Sequence, residues 1–270
     1  MITIKNLGFS YGPDIVLKDI TMRLEKGRIY GLLGGNGVGK TTLLSLLSGL
    51  KKPMAGNIEI DGHIPFERKP SLLSEIYYLS DEVAEANMTA SEYARTYGRF
   101  WVNFSNDTFT EILGVLEINP DQKMNQMSFG QLKKTHIAFA LSCNTRYLFM
   151  DEPTNGLDIP SKAQFRKAIM KYTKEDATIL ISTHQVRDLE SIIDPIIILD
   201  RQDVLMNASI EEISNKLFFD YGNEQKNDVL YSEMIPGGSI QVSLNTTGEE
   251  SKVNLEALFN TVHIHKELFK

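Results

Sequence analysis

A glycine-rich run early in the chain reads Gly34-Gly35-Asn36-Gly37-Val38-Gly39-Lys40-Thr41-Thr42. It fits the pattern G-x-x-x-x-G-K-[ST], in which backbone N–H groups converge on phosphate oxygens. The pattern is meaningful only between a strand and a helix. Residues 28–33 form a short apolar run bounded by glycines, and residues 41–50 are rich in leucine, so both flanks are present. The run therefore predicts a phosphate-binding loop that opens a helix, rather than a glycine-rich turn without a ligand.

Two side chains of this loop carry specific chemistry. Lys40 would neutralise charge on the β- and γ-phosphates of a nucleotide, and Thr41 would present its hydroxyl to Mg²⁺. The N-terminus of the following helix adds favourable positive potential for an anion. The other residues assigned to nucleotide binding in this loop are Gly34, Gly35, Asn36, Gly37, Val38, Gly39 and Thr42.

A second stretch supplies two adjacent carboxylates, in the order Tyr147-Leu148-Phe149-Met150-Asp151-Glu152. Its four apolar residues predict a buried strand, and ligands of open α/β sheets sit beyond the carboxyl ends of such strands. Asp151 would hold the hydration shell of Mg²⁺, and Glu152 would polarise the attacking water as general base. An apolar strand that ends in Asp-Glu is common by itself. Following a phosphate loop, it predicts a nucleotide hydrolase.

Strands and helices alternate along most of the chain, which predicts βαβ units, a largely parallel sheet and the α/β class. Residues 80–126 differ, because their aromatic residues and helical spacing predict a mostly helical insertion. The predicted strands cover residues 2–9, 15–24, 28–33, 57–60, 147–150 and 178–181. In the tail we predict a capped helix start at 209–212, a turn at 235–239 between two extended runs, and a short helix at 255–263.

Three further stretches point to one family. Met127-Ser128-Phe129-Gly130-Gln131 precedes a helix and resembles the LSGGQ signature of ABC ATPases. Residues 151–158, Asp-Glu-Pro-Thr-Asn-Gly-Leu-Asp, look like the family's Walker B motif and D-loop run together, and Ser182-Thr183-His184 resembles its switch-histidine segment. The resemblance covers about residues 1–206 and is closest to the ATPase subunits of bacterial ABC-2-type multidrug or antibiotic export systems.

The resemblance implies a P-loop NTPase fold, with a mainly parallel sheet flanked by helices, an antiparallel β subdomain and an inserted helical subdomain. The ATP-binding domain would span residues 1–208, with the helical subdomain at about 80–140, and residues 209–270 would form a small accessory region. ATP and Mg²⁺ are the implied cofactors. The implied assembly is a head-to-tail dimer, in which each ATP lies between the phosphate loop of one subunit and the signature of the other.

The resemblance also assigns residues outside the loop. Ser128 and Gly130, with Gln131 in the same signature, would bind the γ-phosphate across the dimer interface. His184 would contact that phosphate and help to place the water, although a core histidine is the plainer interpretation of such a residue in isolation. Tyr11 matches the aromatic residue that stacks on adenine, and a surface turn is its alternative. The other histidines match no motif, and they are His63, His136, His263 and His265.

Two positions depart from the family pattern. Asp81 stands where the family has Gln or Glu on the loop that senses Mg²⁺ and meets the membrane partner, and its reach is shorter by about one methylene. We still assign it to the metal site with Thr41 and Asp151. Phe129 replaces the first signature glycine. Its ring either crowds the γ-phosphate of the other subunit or turns away.

The composition of the chain limits the kinds of partner that it is expected to bind. The chain has 270 residues and a formal net charge of −7, which argues against broad contact with nucleic acid. It shows no signal peptide and no apolar stretch of the roughly 18 residues that a membrane span needs. The single cysteine, Cys143, lies in an apolar run and is predicted to be buried. We therefore expect a cytoplasmic protein that is peripheral on the inner face of the membrane through a transmembrane permease, with a second identical ATP-binding subunit.

Two alternatives remain at this point. One is a soluble ABC ATPase that acts on ribosomes or DNA, although the chain has neither paired nucleotide domains nor the sustained heptads of a long coiled coil. The other is a mainly regulatory subunit of a heterodimer. Intact Lys40, Asp151, Glu152 and His184 argue for a competent site, whereas Phe129 leaves the signature side open.

Overall fold

The computed structural model describes residues 1–200, 202–222 and 228–269. Its strands are β1 (Ile2–Tyr11), β2 (Asp14–Leu24), β3 (Ile29–Leu33), β4 (Ala55–Ile60), β5 (Ile76–Leu79), β6 (Tyr147–Asp151), β7 (Thr178–Thr183), β8 (Ile196–Asp200), β9 (Asp203–Ala208), β10 (Leu217–Gly222), β11 (Tyr231–Ile235) and β12 (Gly238–Leu244). Its α-helices are α1 (Lys40–Leu47), α2 (Pro70–Leu73), α3 (Ala90–Tyr97), α4 (Asn106–Val115), α5 (Phe129–Ser142), α6 (Ile159–Tyr172), α7 (Ile210–Lys216) and α8 (Leu255–Ile264).

The central sheet has the order β5-β6-β7-β3-β8-β9 within the described residues. Its first five strands run parallel, and β9 pairs with β8 in the antiparallel sense. Strands β6, β7 and β8 are buried along their whole length, as expected for parallel strands that are covered on both faces. The order brings the carboxyl ends of β6, β7 and β3 side by side. The predicted α/β fold with a mainly parallel sheet is confirmed.

An antiparallel sheet, in the order β2-β1-β4, packs beside the central one. Ile2 pairs with Leu24 on one side and with Ile60 on the other, and all three are buried. These side chains share a hydrophobic cluster with the leucines of α1. The end of β1 thereby places Tyr11 beside the start of α1. This sheet is the antiparallel part of the fold that the resemblance implied.

Helices α3, α4 and α5 lie between β5 and β6, in a stretch that the structure describes throughout. Aromatic rings hold them to the sheet, since Phe139 of α5 packs on Tyr77 with ring centroids 5.8 Å apart. Trp101 lies 5.0 Å from the ring of Tyr77, and its indole N–H donates to the carbonyl of Ile76 at 3.0 Å. The helical insertion predicted for the middle of the chain is therefore present, anchored on β5.

The C-terminal residues form a third sheet, in the order β10-β12-β11 among the described strands, together with α7 and α8. The predicted helix start is a capping box between Ser209 and Glu212. Leu258 and Val262 of α8 belong to the same buried cluster as Met150 of β6. His263 Nε2 lies 3.2 Å from Asp200 Oδ1, at the end of β8. This region therefore shares its core with the nucleotide-binding part of the chain.

Some local features differ from the sequence interpretation. The helix predicted over residues 41–50 ends at Leu47, because Gly49 adopts a left-handed φ of +71° and terminates it. Strands β5, β8, β9 and β10 were not predicted, and neither were the helices α2 and α6. Cys143 is buried, as predicted. Among the described residues, the structure contains no helix with the length and apolar character needed to cross a membrane.

Candidate nucleotide site

The phosphate loop connects β3 to α1 and is shaped by Gly39, which caps the helix with a φ of +108°. A Cβ at this position would lie 2.9 Å from Leu17 Cδ2 and 2.9 Å from Val16 Cγ1, so glycine is required by both conformation and space. The first N–H groups of α1 have no partner within the helix and carry partial positive charge. The loop is therefore built to bind an anion through its backbone.

Lys40 lies inside this loop and is almost fully buried. Its Nζ donates to the carbonyls of Gly34 at 2.8 Å and Gly35 at 3.0 Å, and lies 3.6 Å from Glu152 Oε1. A buried ammonium group needs such partners. It can neutralise the negative charge of phosphates that approach the loop.

Asp151 ends β6, and its carboxylate is surrounded by hydroxyl groups from three neighbouring elements, α1, β7 and β5. Thr41 Oγ1 donates to Asp151 Oδ2 at 2.6 Å, and Ser182 Oγ donates to Oδ1 at 2.5 Å. The hydroxyl of Tyr78 lies 3.5 Å from Oδ2. Burial and the Asp151 carboxylate raise the pKa of Tyr78 to about 12, so the phenol is neutral at physiological pH. One carboxylate with hydroxyl oxygens fits Mg²⁺, which takes one or two carboxylates plus phosphate oxygens and waters.

Glu152 follows Asp151 directly, and its carboxylate lies between the ammonium group of Lys40 and the imidazole ring of His184. His184 Nδ1 is 2.9 Å from Glu152 Oε1, and the His184 backbone N–H donates to Oε2 at 3.3 Å. The backbone of Glu152 is left-handed, with a φ of +45°, and it is fixed by a hydrogen bond from its N–H to Ser182 Oγ at 3.0 Å. A non-glycine residue in this conformation stores strain, which clusters at functional sites. The carboxylate is thus held in one place, 12% exposed.

Tyr11 stands at the edge of this site. Its hydroxyl lies 3.3 Å from Thr42 Oγ1, and its ring is 47% exposed. Lys51 Nζ lies 4.9 Å from the ring centroid, and Phe9 packs against the ring at right angles. An exposed aromatic face beside the phosphate loop is what adenine stacking requires, and that role stays a prediction.

The signature residues lie elsewhere on the chain. Ser128 caps α5 in a reciprocal pair with Gln131: its Oγ accepts from the Gln131 N–H at 3.3 Å, and its N–H donates to Gln131 Oε1 at 2.9 Å. They line a shallow depression of about 430 Å³, here called the signature depression, together with Gly130, Lys134, Gly156, Leu157, Asp158 and Ser161. A different cavity, of about 500 Å³, is lined by Gly34, Gly35 and His184 with Phe259 of α8. The predicted site residues therefore form two groups.

Phe129 turns onto its own chain at the rim of the signature depression. Its ring packs on Gly156, where a Cβ would lie 2.4 Å from Phe129 Cε1 and where the φ is +76°. The side chain remains 52% exposed. The ring thus rests on the loop that follows β6 and still presents an edge to the outside.

Removing this ring, in Phe129→Gly, is expected to raise the ATP hydrolysis rate a few-fold, because the exposed edge of the ring would obstruct a phosphate that entered beside Ser128 and Gly130, as the family resemblance implies. Steady-state phosphate release is the measurement. Phe129→Ala avoids the helix cost of glycine, roughly 1 kcal/mol, and should give the same increase. An unchanged or lower rate in both variants would show that the ring does not obstruct the site.

Asp81 is placed by residues that sequence reasoning missed. Lys133 of α5 and Asn155 of the loop after β6 both donate to its carboxylate. A signal for Lys133 was available, since it shares the helix face of the apolar positions Ile137 and Ala140. Tyr78 and Ser182 were also missed as partners of Asp151, because no local pattern marks a contact between different strands.

A protein-family model described as ABC transporter matches residues 17–155, which include the phosphate loop, the signature and the Asp151–Glu152 pair. The chain belongs to the ABC transporter family. Accordingly it binds ATP and is an ATP hydrolase, and both predictions are confirmed.

Sequence alignments with two relatives extend over most of this ABC protein. It is 29% identical to the bacitracin transport ATP-binding protein BcrA of Bacillus licheniformis, over 95% of this chain and 89% of the relative. It is 30% identical to the lantibiotic transport ATP-binding protein SrtF of Streptococcus pyogenes, over 72% of this chain and 84% of the relative. A solved ATP-binding subunit of an ABC transporter superposes with a TM-score of 0.70 at 24% identity, covering 79% of this chain and 91% of that one.

Proposed function

We propose that this ABC ATPase pairs head-to-tail with a second copy around two ATP–Mg²⁺ and drives export through a separate transmembrane permease. This proposal rests mainly on the division of the predicted site residues into two separate groups. Lys40, Glu152 and His184 form one cluster, while Ser128 caps a helix at the separate signature depression. Two half-sites on different parts of one chain are completed when two chains face each other.

Within one such site each residue has a distinct part. The phosphate loop and Lys40 bind the phosphates, Glu152 takes a proton from the attacking water, and His184 holds Glu152 and contacts the γ-phosphate. Thr41 and Asp151 would hold Mg²⁺, and Asp81 would contribute its carboxylate to the same metal site through a metal-bound water. Mg²⁺ itself supplies charge neutralisation for the phosphates. Tyr11 stacks on adenine, and Ser128, Gly130 and Gln131 belong to the site of the other chain.

A surface groove of about 800 Å³ is a candidate binding site for a protein partner. This docking groove is lined by Leu50, Arg68, Leu73, Ile76, Tyr78 and Val102, together with Ser48, Pro70, Ser71, Ser74, Phe100 and Trp101. Val102 is 85% exposed, and Phe100 and Leu50 are also largely exposed. Exposed apolar side chains grouped around one groove mark an interaction site. Since Tyr78 lies both in the groove and beside Asp151, a segment of the permease seated here would lie next to the metal site.

The proposed organisation keeps residues 1–208 as the ATP-binding domain, with its helical subdomain at about 80–140, and residues 209–270 as an accessory region. We place the protein on the cytoplasmic face of the membrane through its permease. Export is favoured by relatives named for antibiotic transport or resistance, such as the linearmycin resistance ATP-binding protein of Bacillus subtilis, 26% identical over 80% of this chain. A petrobactin import protein of the same organism is 28% identical, so similarity alone leaves the direction to experiment.

The test is to tag the chain in the cells that make it, extract membranes gently and identify what co-purifies. A stoichiometric multispanning protein is expected, and Val102→Asp should release it while ATP hydrolysis by the free chain persists. Met234→Asp, at an equally exposed apolar position of β11, is the matched control and should retain the partner. Recovery of ribosomes or nucleic acid instead of a membrane protein would contradict the transport function and leave the ATPase activity intact.

A further inference from the structure

Lys133 is a buried cation that the ATPase chemistry described so far does not use. It lies on α5, in the turn that follows the signature, and its side chain is 0% exposed. Its Nζ donates to the Asp81 carbonyl at 2.6 Å and to Asp81 Oδ1 at 3.1 Å. Asp81 belongs to the loop that follows β5. One ammonium group therefore holds both the backbone and the carboxylate of this residue.

A second donor occupies the same carboxylate. Asn155 Nδ2 lies 3.3 Å from Asp81 Oδ1 and 3.4 Å from Oδ2. Asn155 is in the loop after β6, three residues beyond Glu152. We call Asp81, Lys133 and Asn155 the Asp81 clasp. It joins the loop of Asp81, the helix of the signature and the loop of the catalytic carboxylate, and it engages both carboxylate oxygens of Asp81.

The surroundings of Lys133 make this clasp costly to open. Burial lowers the pKa of Lys133, whereas Asp81, Asp151 and Glu152 act on it in the opposite direction. A buried ammonium that loses its hydrogen-bonded carboxylate is strongly destabilised. Asp151 and Glu152 are already engaged with Thr41, Ser182, Lys40 and His184. Asp81 is thus the carboxylate that Lys133 depends on most directly.

We propose that Lys133 is a positioning residue that competes with nucleotide-bound Mg²⁺ for Asp81. This inference rests on the proposed function, in which Asp81 reaches Mg²⁺ through a water. The Asp81 carboxylate already accepts three hydrogen bonds at its roughly four lone-pair sites, so a bond to the water on Mg²⁺ competes with the clasp for the same two oxygens. The free energy needed to weaken the clasp then appears as a higher Mg²⁺ requirement for ATP binding.

The variant Lys133→Met keeps the length of the side chain and removes its charge. It is expected to lower the Mg²⁺ concentration for half-maximal ATP binding by about threefold to tenfold, the range that the net strength of one ordinary competing hydrogen bond gives. ATP affinity in EDTA should be unchanged, because Asp81 acts only through the metal. The measurement is equilibrium dialysis of radiolabelled ATP against a Mg²⁺ series, with Glu152→Gln in every chain to prevent turnover.

Matched variants separate this role from a structural one. Lys133→Arg keeps the charge and should keep the parental Mg²⁺ requirement. Lys69→Met removes a lysine from an exposed ion pair with Glu67 and should also have no effect. Once Asp81→Asn is present, adding Lys133→Met should no longer shift the requirement. If Lys133→Met does not fold, Asn155→Ala gives the second route, with a smaller shift in the same direction.

The outcomes are distinct. A lower Mg²⁺ requirement in Lys133→Met, absent from the Asp81→Asn background, supports the clasp. An unchanged or higher Mg²⁺ requirement for ATP binding in both Lys133→Met and Asn155→Ala overturns the proposed competition for Asp81. In that case the proposed function still stands, provided that the parent chain binds ATP in a Mg²⁺-dependent way. Failure of the parent chain itself to bind ATP with Mg²⁺ would reject the proposed site.

Discussion

Replacing Glu152 by glutamine is expected to lower the ATP turnover rate by about 10²–10⁴-fold, the range that a general base contributes. The structure holds this carboxylate between Lys40 Nζ at 3.6 Å and His184 Nδ1 at 2.9 Å, so its position is fixed before the reaction. Glutamine has the same shape and cannot take a proton from water. ATP affinity should therefore change little, and single-turnover hydrolysis of prebound radiolabelled ATP is the measurement.

The chain offers a matched control for Glu152→Gln. Glu117 is an exposed glutamate that shares the left-handed backbone, with a φ of +57° against +45° at Glu152. Glu117→Gln should hydrolyse ATP at the parental rate, which separates loss of the base from any effect on a strained backbone. If Glu152→Gln turned over ATP within about twofold of the parent, another group would have to be the base, since the expected effect is far larger.

The variant Lys40→Ala is expected to abolish productive ATP binding, with hydrolysis reduced by about 10²–10³-fold or more, as for loss of a single charge-stabilising donor. The buried ammonium group lies against the carbonyls of Gly34 and Gly35, where the phosphates enter the loop. Its loss leaves the loop without a compensating charge. Equilibrium dialysis of ATP measures the affinity, and phosphate release measures the rate.

Lys5→Ala is the control for Lys40→Ala, because Lys5 is exposed on β1. It should leave both affinity and rate unchanged. ATP affinity of Lys40→Ala equal to that of the parent would contradict the assignment of Lys40, whatever happened to hydrolysis.

The sequence predicted those parts of the fold and site in which neighbours along the chain are also neighbours in space. The phosphate loop is one continuous run of sequence, and the residues on either side of it predict a strand and a helix. The buried strand β6 carries Asp151 and Glu152 at its end, so a single stretch located both carboxylates. Buried parallel strands are read from continuous apolar runs, and β3, β6 and β7 all have that form.

Contacts between distant segments could not be predicted in this way. Asp81 and Lys133 are 52 positions apart, and although the helix period places Lys133 on the apolar face of α5, no local pattern identifies Asp81 as its partner. Only the packing of α5 against the loop after β5 brings Lys133 and Asp81 together. Phe129 is a similar case, because the sequence allowed its ring to turn either way. Its contact with Gly156 depends on the φ of +76° at that glycine.

In the proposed dimer, ATP is held between the phosphate loop of one chain and the signature of another. Light scattering of the Glu152→Gln chain tests this most directly, with and without ATP and Mg²⁺. ATP is expected to double the mass from the 30.5 kDa of a single chain, and adding Ser128→Arg is expected to prevent this doubling while ATP still binds.

Ser209→Arg is the control in the same background, since Ser209 caps α7 with the same capping box that Ser128 forms on α5. It removes an equivalent helix cap and should leave the doubling intact. A mass that stays at one chain in the presence of bound ATP, or a dimer that forms equally well with Ser128→Arg, would show that ATP does not join two chains through the signature.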